Sequence, residues 1–185
     1  MDCFEILGLR RRLVLGDEEI RAAYDTRCRD LHPDAGGEAE GFREVQEAYG
    51  VLQRTGRRLR HWLELETGGF DPRGEAPGEL MDLFGDLGAL LGRLEELARR
   101  KAGAQSALAK SMAEREGVLA LGEVEEMQER VRRLEDGFTG RFAEFEAAGA
   151  EACRPEAEPV ARGLAFLEKW DGQLREAAFA MVSGS

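Results

Sequence analysis

Aromatic side chains make up only 7% of the 185 residues, and there are just two histidines, three cysteines and five prolines. Each shortage closes a class of fold or function. Cys3, Cys28 and Cys153 are scattered, odd in number and form no C-x-x-C pair. Neither a disulfide framework nor a zinc site is expected, and a reducing compartment suits them. His32 and His61 stand on different segments without ligand partners at motif spacing, so no metal and no other cofactor is expected. No run approaches the roughly 18 apolar residues of a membrane span. The opening MDCFEILGLRRR has its charges on the wrong side of the apolar stretch for a secretory signal, and a cytoplasmic location is the expectation. Positive charge is also short: 26 Lys and Arg against 37 Asp and Glu leave a net charge of −11, a surface that repels nucleic acid and anionic membrane.

β-branched residues are few and nothing alternates cleanly at period two, so an all-α protein is expected. The Gly- and Pro-rich stretch TGGFDPRGEAPG, 67–78, breaks any helix and separates two parts. The expected organisation is an N-terminal domain over 1–66, a linker or elbow over 67–77 and a helical bundle over 78–185. Most of the acidity lies in the last.

In the first part, a helix is expected over 17–31, with Asp17 as its cap and Ile20, Tyr24, Cys28 and Leu31 on one face. A second helix from about 39 answers it with Phe42, Val45, Tyr49 and Leu52, which makes an antiparallel hairpin. A short helix over 4–7 packs across the pair, and another over 57–65 carries Leu59, Trp62, Leu63 and Leu65. Three longer helices are expected beyond the linker. The first, 77–101, carries Leu80, Leu83, Leu87, Leu91, Leu94 and Ala98. The second, 121–148, carries Val124, Met127, Val131, Leu134, Phe138, Phe142 and Phe145. The third, 155–182, carries Val160, Leu164, Leu167, Leu174, Ala178 and Met181, and its Pro155 and Pro159 suit a first turn or a delayed start. The stretch 104–116 is a further helical segment, open to continuity with a neighbour.

The hairpin is joined by His32, Pro33 and Asp34. Pro33 fixes its own φ and pushes His32 out of helical geometry, so two polar side chains stand at a rigid corner. The Asp34 carboxylate suits a bidentate arginine. Any helical hairpin with a proline turn can carry such a tripeptide, but here the whole pattern DCFEILGL, EEIRAAYDTRCRDL, HPDAGG and EGFREVQEAYGVL resembles a J-domain. That resemblance implies a module that binds DnaK-type chaperones through His32, Pro33 and Asp34 and stimulates their ATPase. It also implies a basic second helix, for which Arg21, Arg27 and Arg29 are the candidates, diluted by Asp25 and Asp30. The alternative for those arginines is a solvated face with i, i+4 pairs such as Asp25 with Arg29.

The Gly/Phe-rich and zinc-binding regions of general J-proteins are missing. Over nearly its full length the chain instead resembles the HscB family of J-type co-chaperones of iron–sulfur cluster assembly. The resemblance rests on MDCFEILGL, LHPD, VQEAYGVLQRTGRRLRHWLELETGG and RGLAFLEKW. It implies a J-domain joined by an elbow to a three-helix domain that is not itself catalytic. The partners it implies are a DnaK/HscA-type (heat-shock 70 class) chaperone and a cluster scaffold. Leu80, Met81, Phe84 and Phe166 correspond to the family's apolar scaffold contacts, whereas its following glutamates align with Gly85, Gly88 and Gly92.

At 100° per residue Met81, Gly85, Gly88 and Gly92 share one side of their helix, away from the leucine stripe. Each mid-helix glycine costs about 0.5–1 kcal/mol relative to alanine, so three cost roughly 2–3 kcal/mol. A groove for a partner, close packing on the J-domain, or uncommitted exposed positions all account for them. Two further functional readings stay open: a J-protein with another client, and a helical assembly protein with a vestigial J-domain.

Overall fold

Helices account for every regular element of the described residues, 1–31 and 39–183 of this computed structural model, and none of them is strand. In chain order they are α1 Cys3–Leu7, α2 Asp17–Asp30, α3 Ala39–Leu52, α4 Thr55–Thr67, α5 Glu79–Gly103, α6 Ala107–Thr139, α7 Phe142–Ala148 and α8 Ala150–Ser183. No described helix is long and apolar enough to cross a membrane. By contact the chain divides into two units. One joins Met1–Glu75 to Phe138–Leu164, and the other joins Ala76–Gly137 to Ala165–Ser185. The second unit thus begins inside the expected 67–77 linker, and 138–164, expected in the C-terminal bundle, groups with the N-terminal residues.

In the first unit, α1 is started by Asp2, whose carboxylate accepts from the Phe4 and Glu5 amides at 3.0 and 3.3 Å. Burial alone would raise the Asp2 pKa, but the Arg11 guanidinium and these two amides hold it below its ordinary value. Gly8 ends α1 at φ 70°, where its N–H reaches the Glu5 carbonyl. Against expectation, Gly16 and not Asp17 is the N-cap of α2. Asp17 stands in the first turn with Glu18 and Glu19, where carboxylates favour the helix dipole. Ile20 is buried, while Tyr24 and Cys28 are only half-buried. On α3 the buried side chains are Val45, Ala48 and Leu52, and Phe42 and Tyr49 sit at the margin. Leu13 and Leu15, in the loop before α2, are also buried, which periodicity could not show because the loop has none.

His61 on α4 ties that helix to α1. The Cys3 amide donates to its Nε2 at 3.1 Å and the Phe4 ring stacks on it at 5.8 Å. An accepting Nε2 means a neutral ring protonated at Nδ1. Burial pushes the His61 pKa below its ordinary value despite the pull of Asp2 and Glu64. The unfolded chain therefore binds the proton more readily, and stability declines once pH drops through the free-histidine value of about 6.5. Urea midpoints at pH 7.5 and 5.5 are expected to show that decline, and His61→Phe should flatten it. An identical pH slope in the variant would remove His61 as its source.

The second unit is a three-helix bundle whose register can be read from its ion pairs. Asp86 meets Arg130 at 2.8 Å, Arg93 meets Glu123, and Arg100 meets Glu116 at 2.6 Å, so α5 and α6 are antiparallel. Phe84 lies by Trp170 and Lys101 Nζ donates to the Met181 carbonyl at 2.7 Å, so the end of α8 runs parallel to α5. The three ion pairs are exposed and mark register more than they stabilise. The α5 core is Leu80, Leu83, Leu87, Leu90, Leu94 and Leu97. Leu91 and Ala98, expected in that stripe, are half-buried instead. The observed stripe alternates three and four, the seven-residue period of helices that wind around one another, whereas the expected spacing averages about 3.6 and follows one line on a straight helix.

Other boundaries also differ from expectation. Most of the segment 104–116 runs without a break into the residues after it, as part of α6, and the expected helix 121–148 breaks at Gly140 and Arg141. Pro155 and Pro159 lie inside α8 rather than in its first turn. Two ladder hydrogen bonds are lost there. Buried Ala157, Val160 and Ala161 and the Arg154–Glu158 pair at 2.8 Å hold the segment helical.

Candidate functional site

Two surfaces carry the residues singled out by sequence. His32, Pro33 and Asp34 themselves lie outside the described residues, in the interval between α2 and α3. The hairpin that carries them is locked by Tyr24 of α2 stacking on Tyr49 of α3 at 4.3 Å. A hydrogen bond with the Cys28 thiol, then burial, raises the Tyr24 pKa, so the ring stays neutral at any physiological pH.

The three arginines of α2 do not share one face. Arg21 and Arg29 are exposed and about 80° apart around the helix. Arg29 donates to the Asp25 main-chain carbonyl at 3.1 Å and to the Thr26 hydroxyl at 3.4 Å. Arg27 is half-buried and turned toward α1. A Cβ on Gly8 would lie 3.2 Å from its guanidinium, which would have to give slightly, while the positive φ of Gly8 is what calls for glycine. Arg27 lines an open cleft of about 550 Å³ with Met1, Ile6, Leu31 and Val45. Arg21 and Arg29 are therefore the more exposed of the three.

The second surface is on the bundle. Phe84 of α5 and Phe166 of α8 are 59% and 46% exposed, and both rings lean on Trp170 at 6.1 and 6.0 Å. Trp170 is itself buried, and Met81 beside Phe84 is exposed. The structure thus brings Phe84 and Phe166 together over Trp170, with exposed Met81 one turn before Phe84 on α5. Leu80, placed with them by resemblance, is only 3% exposed and belongs to the core. Sequence reasoning missed the part played by Trp170, for which the i, i+4 spacing from Phe166 is the available signal. Gly85, Gly88 and Gly92 are exposed, and a Cβ at any of them meets no described atom within 4 Å. Close internal packing is not what these glycines serve.

Among the described residues no group of His, Cys, Asp and Glu could hold a metal ion. Burial pushes the Cys3 thiol up to about 11 and raises Cys153 too, so both stay protonated core groups.

Comparison with known proteins matches each surface differently. Residues 2–61 match the family model of the DnaJ domain, so the chain carries a DnaJ domain at its N-terminus. Chaperone protein DnaJ of Carboxydothermus hydrogenoformans is 41% identical over 64 residues, 32% of this chain and 16% of that protein. Chaperone protein DnaJ of Oleidesulfovibrio alaskensis is 33% identical over 100 residues, 46% of this chain and 26% of that protein. The match thus spans about a quarter or less of each relative's length. The solved structure of the chaperone HscB from Vibrio cholerae has the same fold, with a TM-score of 0.57 at 19% identity, over 95% of this chain and 96% of that one.

Proposed function

We propose that this chain is a J-domain co-chaperone that engages a DnaK/HscA-type chaperone and delivers a client held on its helical bundle. His32, Pro33 and Asp34 stimulate the chaperone's ATPase, and Arg21, Arg27 and Arg29 contribute to docking, Arg27 from its seat against α1. The chain itself performs no chemistry. Met81, Phe84 and Phe166 hold the client, with Trp170 beneath the two rings and Leu80 in the core, and the client we propose is an iron–sulfur cluster scaffold protein. One observation carries the reading: a DnaJ domain over 2–61 is continued by an HscB-like fold along almost the whole chain.

Single-turnover ATPase assays with a DnaK-type chaperone test it. The wild-type chain is expected to accelerate hydrolysis, more so with scaffold present, and His32→Gln to bring the rate back near basal. No stimulation by wild type, or equal stimulation by the variant, would sink the reading. One feature favours a different client: the ridge beyond Met81 carries Gly85, Gly88 and Gly92 and so offers no charge. Pull-downs that recover the chaperone and never the scaffold would select that version.

A further inference from the structure

The N-terminal unit is completed by a segment from far along the chain, and two polar clamps make the join. From α7, the Glu146 carboxylate accepts from the main-chain amides of Leu13 and Val14, the latter at 3.2 Å. Those amides belong to the α1–α2 loop, whose Leu13 and Leu15 are buried. A main-chain amide buried without an acceptor is strongly disfavoured, and for buried Leu13 the acceptor is this carboxylate. From α8, Arg162 works in the opposite sense on the elbow after α4. Its Nε donates to the Glu75 carbonyl at 2.7 Å and its Nη1 to the Asp71 carbonyl at 2.5 Å. The same guanidinium lies 5.8 Å from the Phe70 ring centroid. A Cβ on Gly74 would come within 2.6 Å of it, so a side chain at residue 74 would make this guanidinium shift.

A third observation joins the two ends. Arg58 of α4 is only 4% exposed. Its Nη1 donates to the Leu52 carbonyl at the end of α3, and its Nε has no partner. Asp17, at the start of α2, and Glu146 supply the negative charge that offsets its burial. A buried guanidinium needs counter-charge, and part of it here comes from α7.

We propose that Phe138–Leu164 is a bracket built into the J-domain, with Glu146 and Arg162 as positioning residues that set the α1–α2 loop and the elbow. The inference rests on the co-chaperone reading only for its consequence in catalysis by the partner chaperone. There the bracket fixes the base of the α2–α3 hairpin, so that the far end meets the chaperone in one orientation.

The full-length chain tests this in three measurements. In Glu146→Ala, amide exchange at Leu13 and Val14 is expected to speed up at least tenfold, with exchange in α5 unchanged. Glu146→Gln, which keeps an accepting oxygen, should stay within about threefold of wild type. In Arg162→Ala, trypsin should cut after exposed Arg73 at least tenfold faster, and Arg162→Lys, which lacks the planar fork, should fall between. In ATPase assays the double variant Glu146→Ala/Arg162→Ala should need roughly three- to tenfold more protein for half-maximal stimulation and reach the same plateau. Leu94→Ala, a core truncation in the other unit, controls for simple loss of stability and should leave that concentration unchanged. Wild-type exchange and cleavage rates in the variants would overturn the bracket. Altered rates with a stimulation curve identical to wild type, or matched by Leu94→Ala, would overturn its positioning role. A wild-type chain that stimulates no chaperone would refute the co-chaperone reading instead, leaving exchange and proteolysis to decide the bracket.

Discussion

Trp170→Ala is expected to destabilise the second unit by about 3–5 kcal/mol, the usual range for removing a buried tryptophan. That is a large part of the roughly 5–15 kcal/mol that holds a typical domain folded. The indole is 6% exposed and lies under Phe84 from α5 and Phe166 from its own helix. Removing it leaves a cavity at the seam of two helices and takes away the support of both exposed rings. The contrast with those rings makes the prediction specific. Phe84→Ala and Phe166→Ala each lose one aromatic contact at the surface, worth about 0.5–1.5 kcal/mol, and leave no cavity. Thermal and urea unfolding should therefore rank Trp170→Ala far below the two phenylalanine variants, while all three lose client capture. A Trp170→Ala protein within about 1 kcal/mol of wild type would mean that the patch does not rest on the indole.

The opposite sign is expected for the glycine ridge. Replacing Gly85, Gly88 and Gly92 together by alanine should stabilise the chain by roughly 2–3 kcal/mol, because alanine loses less backbone entropy on entering a helix. The three positions are exposed, helical and clear of every described atom within 4 Å, so the added methyl groups meet nothing. A melting temperature at least about 5 °C higher is the corresponding shift. A gain below about 0.5 kcal/mol would show that the ridge is already compensated by some contact a methyl group disturbs. The same variant separates two uses of the ridge. Client capture that weakens as stability rises marks close backbone approach by a partner, and unchanged capture marks open positions.

Much of this protein was legible in its sequence because its signals are local. The α2–α3 hairpin, the short α1, the break near residue 70 and the apolar stripes all come from spacings of three and four residues and from glycine and proline, which a helix converts directly into one face or an end. Met81, Phe84 and Phe166 came from resemblance, and the structure brings Phe84 and Phe166 together over Trp170, which lies outside that set. What spacing could not supply was the choice between neighbouring stripes. Leu90 and Leu97 are buried where Leu91 and Ala98 were expected, because two partner helices, and not α5 alone, decide which flank is covered. Pro155 and Pro159 suit a helix start by local preference, and packing around Ala157 and Val160 carries α8 straight through them.

The sequence by itself determined which segments are helical, where helix breaks and which interval holds His32, Pro33 and Asp34, since each is written within a few residues. Only the tertiary structure decided that the N-terminal unit is completed by 138–164. Glu146 meets the Leu13 amide across 133 positions and Arg162 meets the Asp71 carbonyl across 91. An exposed-looking glutamate and arginine carry no local mark of such partners. Their roles come from main-chain groups that must be satisfied once the loop and the elbow are buried, a condition that exists only in the folded chain.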